Sequence, residues 1–524
     1  HSADGAGDSV TQDQSTNDSP NIVFILSDNQ AASLLGTYGN KDIKTPNIDK
    51  LAEEGIKFTR AYDTNGLCSS TRATILTALL PSQHGIHAAL HDDTALWPKD
   101  WNAIQEFTAL PNVLKDGGYD TALIGKWHLG QPVKEAGTKS GFDYWVTFGQ
   151  GHTINFFNNT IIDNNQTYKL EGKHIVDFFT DKAVQYINDH NEKKPFFMFL
   201  TYDAPYMLPP SNFGPQPENR LYNDYVISTF HSFPRLPVSD HLIAIANGSN
   251  PLPGPLQKDS SVFLKMLNDP ESMATMAANN AIVDDGVGKV MSTLKQKGIL
   301  NNTLIIYSSD QGTFFGQHGL IGHSVTAEPT IPYDSINKIP LIMSQPGHIK
   351  PNQTNDMLIS EVDFAPTIAD YAGFKDVQFK NSPGKSFAPV LKGEKMGNST
   401  EEIYIDDQST RVITNKDFSY WKRVDDIGSN EFYNLSIDPD QLKNEINNPQ
   451  YAGIIQEMDN KLTNFFKIYV DKKYDLWNGG SAKETIFDPE IWKKVNGPNW
   501  SVISIGNSTW NSTPNELCEE SCYN

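Results

Sequence analysis

Four continuous apolar runs divide the chain, and each leads into a cluster of polar residues. The runs cover residues 21–27, 119–124, 195–202 and 303–308. Uninterrupted apolar runs of this length are typical of strands that are buried on both faces of a parallel sheet. Ligands bind at the carboxyl ends of strands in open α/β sheets, so the polar clusters after these runs are the first candidates for a functional site.

Between these runs, apolar residues recur at helical spacing. Such stretches cover residues 45–55, 101–117, 175–191, 270–298 and 360–372. Strands that alternate with helices predict an α/β fold, with a large mixed, mostly parallel sheet sandwiched by helices. Residues 207–268 are rich in Pro, Ser and Asn, and we interpret them either as an insertion at the mouth of a site or as a solvated loop.

The pattern changes after about residue 395. Short alternating runs occur at residues 402–405, 411–414 and 418–423, and an amphipathic stretch follows at 452–466. They predict a smaller C-terminal α+β subdomain of antiparallel strands and one helix. The predicted domains are a disordered leader (1–20), an N-terminal domain that holds the candidate chemistry (21–394), and the C-terminal subdomain and tail (395–524).

Charge and composition exclude some classes of partner. The 524 residues carry a formal net charge of −21, which disfavours nucleic-acid binding because phosphate contacts need clustered Lys and Arg. An anionic substrate would need a local cationic pocket. No run approaches the roughly 20 apolar residues of a membrane span. The polar leader lacks the apolar segment of a signal peptide, so we expect an exported chain (periplasmic, secreted or lumenal) whose signal peptide has been removed.

Two pairs of oxygen-bearing side chains end apolar runs. Asp28 and Asn29 follow the first run, and Asp310 and Gln311 follow the last. Hard oxygen donors on neighbouring strand ends suit Ca²⁺ or Mg²⁺. The alternative is that these residues cap strands and form turns.

One of the three cysteines stands apart from the other two. Cys518 and Cys522 could form a small disulfide in an oxidising compartment, whereas Cys68 has no partner nearby. Cys68 could be a buried core residue. However, it opens a helical run, where the helix N-terminus favours an anion, and Arg72 lies one turn further on the same face. An arginine there suits an anion with tetrahedral oxygens.

Together these segments resemble the formylglycine-dependent sulfatases of the alkaline phosphatase superfamily, over nearly the whole chain. The Cys68 block (CSSTRATILT) and the GKWHLG block at 125–130 are the most specific matches. The remaining matches are residues 21–29, 45–52, 83–86, 309–312, 317–319 and 431–435.

The resemblance implies an alkaline-phosphatase-like fold and a modified nucleophile. A separate maturation enzyme would convert Cys68 to formylglycine (3-oxoalanine), whose hydrate attacks sulfur. Arg72 and Lys126 would hold the diol and the sulfate, and His128 would take the proton that re-forms the aldehyde. The cation would be Ca²⁺, or Mg²⁺ in its place, with the ligands Asp28, Asn29, Asp310, Gln311 and the modified Cys68.

The chain departs from the family pattern at five positions. Ser70 replaces the usual Pro or Ala, Asn29 replaces an Asp, and Gln311 replaces an Asn. Tyr206 replaces a His, and His323 stands where a Lys is usual. We predict that His323 contacts the sulfate and protonates the leaving oxygen, because a histidine pKa suits that work. The alternative is a surface histidine in a mobile loop.

Sulfate ester hydrolysis is the function that the resemblance implies. A sulfated saccharide is the predicted substrate, with Tyr206, His87 and His91 as candidate substrate-binding residues; an aryl or small alkyl sulfate stays open. Two alternatives remain. One is a phosphate or phosphonate ester hydrolase of the same superfamily, which Cys68 disfavours. The other is a catalytically impaired homologue that binds sulfated sugars, which Ser70, Asn29 and Tyr206 would allow.

Overall fold

The computed structural model describes residues 19–91, 93–151, 155–207, 214–226, 228–249 and 264–505. Residues 1–18 of the predicted leader, Cys518 and Cys522 lie outside the described residues. Within the described ranges, no helix combines the length and the apolar character that a membrane span requires.

A ten-stranded sheet forms the centre of the fold, in the order β12-β2-β11-β8-β1-β7-β3-β4-β5-β6. Its strands are β1 (Asn21–Ser27), β2 (Ile56–Tyr62), β3 (Asp120–Gly125), β4 (Tyr144–Phe148), β5 (Asn158–Asp163), β6 (Gln166–Glu171), β7 (Phe196–Thr201), β8 (Thr303–Ser309), β11 (Lys338–Ser344) and β12 (Gln353–Ser360). The central strand β1 pairs in parallel with β7 and β8, whereas β11 runs antiparallel to both its neighbours. The predicted mixed, mostly parallel sheet is confirmed.

Helices cover both faces of this sheet. Residues of β1 alternate between two cores: Ile22, Phe24 and Leu26 pack on one side, and Val23 and Ile25 on the other. The helices are α1 (Pro46–Glu53), α2 (Cys68–Thr77), α3 (Pro81–His84), α4 (Leu110–Asp116), α5 (Lys134–Lys139), α6 (Ile175–Asp189), α7 (Asp240–Ala246), α8 (Pro270–Gln296), α9 (Asp334–Asn337), α10 (Phe364–Tyr371) and α11 (Ala388–Leu391).

The C-terminal part forms a separate antiparallel sheet, as predicted. Its order is β13-β14-β15-β16, and one further pair of short strands, β9 (Phe314–Phe315) and β10 (Ile321–Gly322), lies outside both sheets. Helix α12 (Ala452–Ile468) packs on this sheet through residues at i, i+4 and i+8, namely Met458, Leu462 and Phe466. The remaining elements are β13 (Ile403–Asp407), β14 (Thr410–Thr414), β15 (Phe418–Arg423), β16 (Glu431–Asn434) and α13 (Pro489–Asn496).

Two sequence-based expectations need correction. The helix predicted at 101–117 begins only at Leu110, because Pro111 lacks an N–H and fits only the first turn. The C-terminal part contains a second helix, α13, beyond the one predicted. Within 207–268, part of the described chain is packed and not solvated, since Phe230 and Phe233 are buried and Phe233 packs on Phe315.

Candidate active site

Two buried carboxylates lie side by side where β1 and β8 end. Ser27 pairs with Ser309 in the parallel register, so the next residues, Asp28 and Asp310, emerge together. The backbone N–H of Asn29 donates to Asp310 Oδ1 at 3.1 Å, and Asn29 holds a left-handed conformation (φ 57°) to do so. A strained non-glycine residue beside buried acids is typical of a functional site.

The amide of Gln311 completes a set of oxygen donors that fits a divalent cation. With its nitrogen turned to donate to Thr71 Oγ1 (3.2 Å) and to the Asp310 carboxylate, its oxygen lies against Asn29 Oδ1. The amide oxygens of Asn29 and Gln311 are hard neutral donors, of the kind that Ca²⁺ accepts beside carboxylates. Asp28, Cys68 and Asp310 each bring a ligand atom within 4.8 Å of the other two. The donors therefore fit the predicted Ca²⁺ site.

Burial makes the negative charge of this site costly without a cation. It raises the pKa of Asp28, which Lys126 opposes, and it raises the pKa of Asp310 to about 6, helped by the Asp28 charge. Both side chains are fully shielded from solvent. The arrangement favours occupation by a positive ion at neutral pH.

Cys68 is the first residue of α2 and points at the carboxylates. Its thiol donates to Asp28 Oδ1 at 3.4 Å, and the Gln311 amide lies 3.0 Å from Sγ. Burial, with the Asp28 charge, raises the pKa of Cys68 well above its ordinary value. The unmodified side chain is therefore a protonated thiol at neutral pH, which is a poor nucleophile.

Two cations face the same point. Arg72, one turn along α2, donates from Nε and Nη2 to Asp310 Oδ2 at 3.2 and 3.0 Å. Lys126 Nζ lies 2.7 Å from Asp28 Oδ2. Burial alone would lower the pKa of Lys126, but the Asp28 charge raises it above its ordinary value, so the ammonium is kept. These two side chains are the local positive charges that an anionic substrate needs in this acidic protein.

The position of Lys126 depends on a close approach of β3 to β7. Gly125 has a φ of 128°, and a Cβ there would collide with the Thr201 carbonyl. This turn also brings Lys126 within 3.6 Å of Asp203 Oδ1. Asp203 is not among the predicted site residues, although it follows an apolar run just as Asp28 does.

His128 is held by a backbone carbonyl. Its Nε2 lies 2.6 Å from the Leu90 carbonyl oxygen, which can only accept, so Nε2 carries the proton and Nδ1 carries the lone pair of the neutral ring. The residue has a φ of 56° and is buried. The neutral ring can therefore accept a proton at Nδ1.

Tyr206 and His323 lie beside the cations. The Lys126 ammonium sits 5.5 Å from the centre of the Tyr206 ring, and the centres of the Tyr206 and His323 rings are 6.2 Å apart. His323 Nε2 is 3.3 Å from Asn29 Nδ2, which can only donate. Burial lowers the pKa of His323 to about 4, so the ring is neutral before substrate binds. His323 is not the exposed histidine of the alternative interpretation, since it is buried.

His87 and His91 are both buried and engage the C-terminal part of the chain. His87 Nε2 donates to the Tyr474 carbonyl at 2.8 Å, and His91 Nε2 lies 2.7 Å from Glu484 Oε1. The structure thus brings the predicted metal ligands together around Cys68, with Arg72, Lys126 and His323 beside them, whereas His128 follows β3 and is bonded to the Leu90 carbonyl. It places His87 and His91 against residues 474–484, so their role in substrate binding stays a prediction.

Family comparisons agree with this geometry. The family model described as Sulfatase matches residues 20–374, and a second model, described as N-sulphoglucosamine sulphohydrolase, C-terminal, matches residues 329–467. The first match covers more than half of the chain and includes every candidate ligand and catalytic residue.

Individual relatives cover most of the chain. An N-acetylglucosamine-6-O-sulfatase of Bacteroides thetaiotaomicron is 28% identical over 89% of this chain and 88% of the relative. The human N-acetylglucosamine-6-sulfatase is 30% identical over 71% of this chain and 64% of the relative. A solved structure, described as a complex with its substrate D-glucosamine-2-N,6-O-disulfate, shares the fold with a TM-score of 0.67 and 23% identity, over 87% of this chain and 99% of that one. Sulfatases are sulfuric ester hydrolases, and the chain belongs to the sulfatase family of the alkaline phosphatase superfamily.

Proposed function

We propose that this protein hydrolyses the sulfate ester of a sulfated saccharide, using formylglycine made from Cys68 and a bound Ca²⁺. One observation carries the proposal: a buried Cys68 thiol lies among four oxygen donors and two cations, and burial raises its pKa, so the unmodified thiol is a poor nucleophile there. Mg²⁺ is the alternative ion, because it also prefers oxygen ligands. Cys68 is buried, so we expect the maturation enzyme to act on the chain before it folds.

Formylglycine would supply a hydrate with two hydroxyls: one would displace the alcohol from sulfur, and the other would expel sulfate as the aldehyde re-forms. The cation would supply positive charge for both of these steps. The protein's own residues orient these groups. Asp28, Asn29, Asp310 and Gln311 would hold the ion. Arg72 and Lys126 would bind the sulfate oxygens and stabilise the charge that grows on them in the transition state.

His128 would act as the base of the final step. Its Nε2–H is committed to the Leu90 carbonyl, which fixes the ring and leaves the lone pair on Nδ1. A proton accepted there turns the ring into an imidazolium, which the same carbonyl still holds. The geometry thus supports a single proton-accepting atom.

His323 would supply the proton to the leaving alcohol. Its Nε2 accepts from Asn29 without substrate, and a sulfate ester beside it would favour the protonated ring, because a nearby negative charge raises a histidine pKa. Protonation of the leaving oxygen should speed the reaction of a sugar sulfate strongly, because a sugar alcohol is a poor leaving group. It should change the rate with an activated phenol little.

Replacing His323 with Ala is expected to lower kcat/KM for a sugar sulfate by about 100-fold, and for an activated aryl sulfate by less than about threefold. Steady-state assays on both substrates measure this, with the exposed His348→Ala variant as a control. Equal losses on the two substrates would contradict the acid role.

Cation affinity should depend on pH through Asp310. Its pKa is about 6 in the ion-free protein, and a cation binds only the ionised carboxylate. Affinity should be constant above pH 7 and fall about tenfold per pH unit below pH 6. Calorimetric titration with Ca²⁺ from pH 5 to 8 measures this affinity. An affinity that stays constant down to pH 5 would contradict the assignment of Asp310 as a ligand that titrates near pH 6.

The saccharide class follows from the relatives. Two of them are named for a 6-sulfate on N-acetylglucosamine, so a 6-sulfated hexosamine is the substrate to test first. Because sulfated polysaccharides occur outside cells, we propose an exported location, whether periplasmic, secreted or lumenal. A panel of 6-, 4- and 2-sulfated sugars, with a phosphate and a phosphonate monoester, tests the function. Release of sulfate from a sugar supports it, and faster turnover of the phosphorus esters than of every sulfate would overturn it.

A further inference from the structure

Leu90 joins the helix of the nucleophile to the candidate base. Its backbone N–H donates to Ser69 Oγ at 3.0 Å, next to Cys68, and its carbonyl accepts the 2.6 Å bond from His128 Nε2. Residues 85–91 form a loop, which has no ladder of backbone bonds to hold Leu90 in place. The position of the His128 ring therefore depends on the contacts that fix this loop.

Residues 474–484 of the C-terminal part hold the loop by hydrogen bonds. At the start of the loop, the Lys483 N–H donates to the Gly85 carbonyl at 2.7 Å. At its end, His91 Nε2 lies 2.7 Å from Glu484 Oε1. The C-terminal part thus anchors both ends of the loop.

The bond between His91 and Glu484 is direct and buried. The His91 Nδ1 atom accepts from the Asp93 N–H at 3.1 Å, so Nε2 carries the proton that it donates to the Glu484 carboxyl group. Both side chains are fully shielded from solvent, and the His91 ring packs on Trp97 with the ring centres 4.7 Å apart. The imidazole is therefore held at both nitrogens.

Glu484 is an unfavourable residue for its position. Its φ is 66°, in the left-handed region that glycine and asparagine adopt more easily. A buried carboxyl group also costs free energy unless it is hydrogen-bonded. Packing alone would be served by a glycine or an apolar residue, so the acid here points to a role for its bond to His91.

We propose that Glu484 and His91 position His128 for proton transfer, because they fix the Leu90 carbonyl that holds the His128 ring. They are positioning residues that act through Leu90. Without this anchor, the end of the loop would move and the ring would lose its fixed orientation. The inference rests on the proposed function for the role of His128 as the base. The alternative is that His91 binds the substrate directly.

Acylation of His128 by diethyl pyrocarbonate tests the positioning without any turnover. In protein that retains the Cys68 thiol, the bonded and buried ring should react slowly, and Glu484→Leu should raise its rate about fivefold or more, because the loop opens more often. Peptide mass analysis measures the rate at each histidine. His174, which is buried and bonded to Asn279, is the internal reference and should keep its wild-type rate. An unchanged His128 rate in Glu484→Leu would overturn the inference.

Kinetics on an activated aryl sulfate separate this role from a general loss of structure. His128 acts after the phenol has left, so Glu484→Leu should release the first equivalent of phenol at the wild-type rate and then turn over about 10- to 100-fold more slowly. Glu484→Gln keeps an oxygen that accepts from His91, so it should recover most of the lost rate. Equal losses in the first release and in the later rate would indicate a structural role and overturn the inference. A rise in KM with an unchanged kcat would overturn it in favour of direct substrate binding by His91.

Asp120→Leu is the matched control. The Asp120 carboxylate lies 2.9 Å from His190 Nε2, and His190 Nδ1 accepts from the Glu192 N–H, so the same kind of bond is lost at the opposite end of β3. This variant should keep the wild-type kinetics and the wild-type rate of His128 acylation, and changes as large as those of Glu484→Leu would overturn the inference. A wild type that is inactive on all sulfates would instead count against the proposed function, while the acylation rates would still decide the positioning.

Discussion

Replacing Cys68 with Ala is expected to lower kcat by about 10⁵-fold or more, because it removes the side chain that becomes the nucleophile. Binding should survive, since the side chain is small and the Arg72 and Lys126 cations remain. Sulfate release from a saccharide measures the rate, and calorimetry measures binding of the unhydrolysed substrate.

Cys68→Ser sharpens this prediction. A serine that is not oxidised has one hydroxyl, so it could accept sulfate once but could not release it by re-forming a carbonyl. We expect at most one sulfate transferred per protein molecule. Sustained turnover by the Ala variant would contradict the nucleophile assignment.

Asp310→Asn should have the second largest effect, with kcat lowered by about 10³-fold. The change removes one of the two full charges among the predicted ligands, and it removes the charge of the group that accepts both Arg72 bonds. Bound calcium per protein, measured by elemental analysis after dialysis, should fall from one ion to well below one.

The control for Asp310 is Asp356→Asn. Asp356 makes an exposed ion pair with Lys416, and exposed pairs of this kind contribute little. We expect wild-type calcium content and activity from it. An Asp310→Asn variant that keeps its full calcium content would show that the ion lies elsewhere.

The apolar runs predicted the strands that carry most of the site. Both faces of β1, β7 and β8 are buried, so the sequences of these strands are continuously apolar. The residue at which each strand ends can therefore be predicted from the sequence. The candidate metal ligands Asp28 and Asp310 are identified in this way. Which strands are neighbours, and in what register, depends on long-range pairing that no local pattern reports.

The sequence pattern does not predict the strands β2 and β12, because neither is continuously apolar. β2 alternates buried and half-buried residues (IKFTRAY), and the first half of β12 is polar, so neither forms an apolar run. The contact between His91 and Glu484 also joins residues that are far apart in the chain, so no local pattern predicts it.

In the active protein we expect residue 68 to be formylglycine and not cysteine. Peptide mass analysis of residue 68, after production with a formylglycine-generating enzyme, tests it most directly. We predict a peptide about 18 Da lighter than the cysteine peptide. The fraction of protein that carries this lighter peptide should rise in proportion to the specific activity of each preparation. Full activity in a preparation whose Cys68 carries an intact thiol would contradict the assignment of formylglycine to position 68.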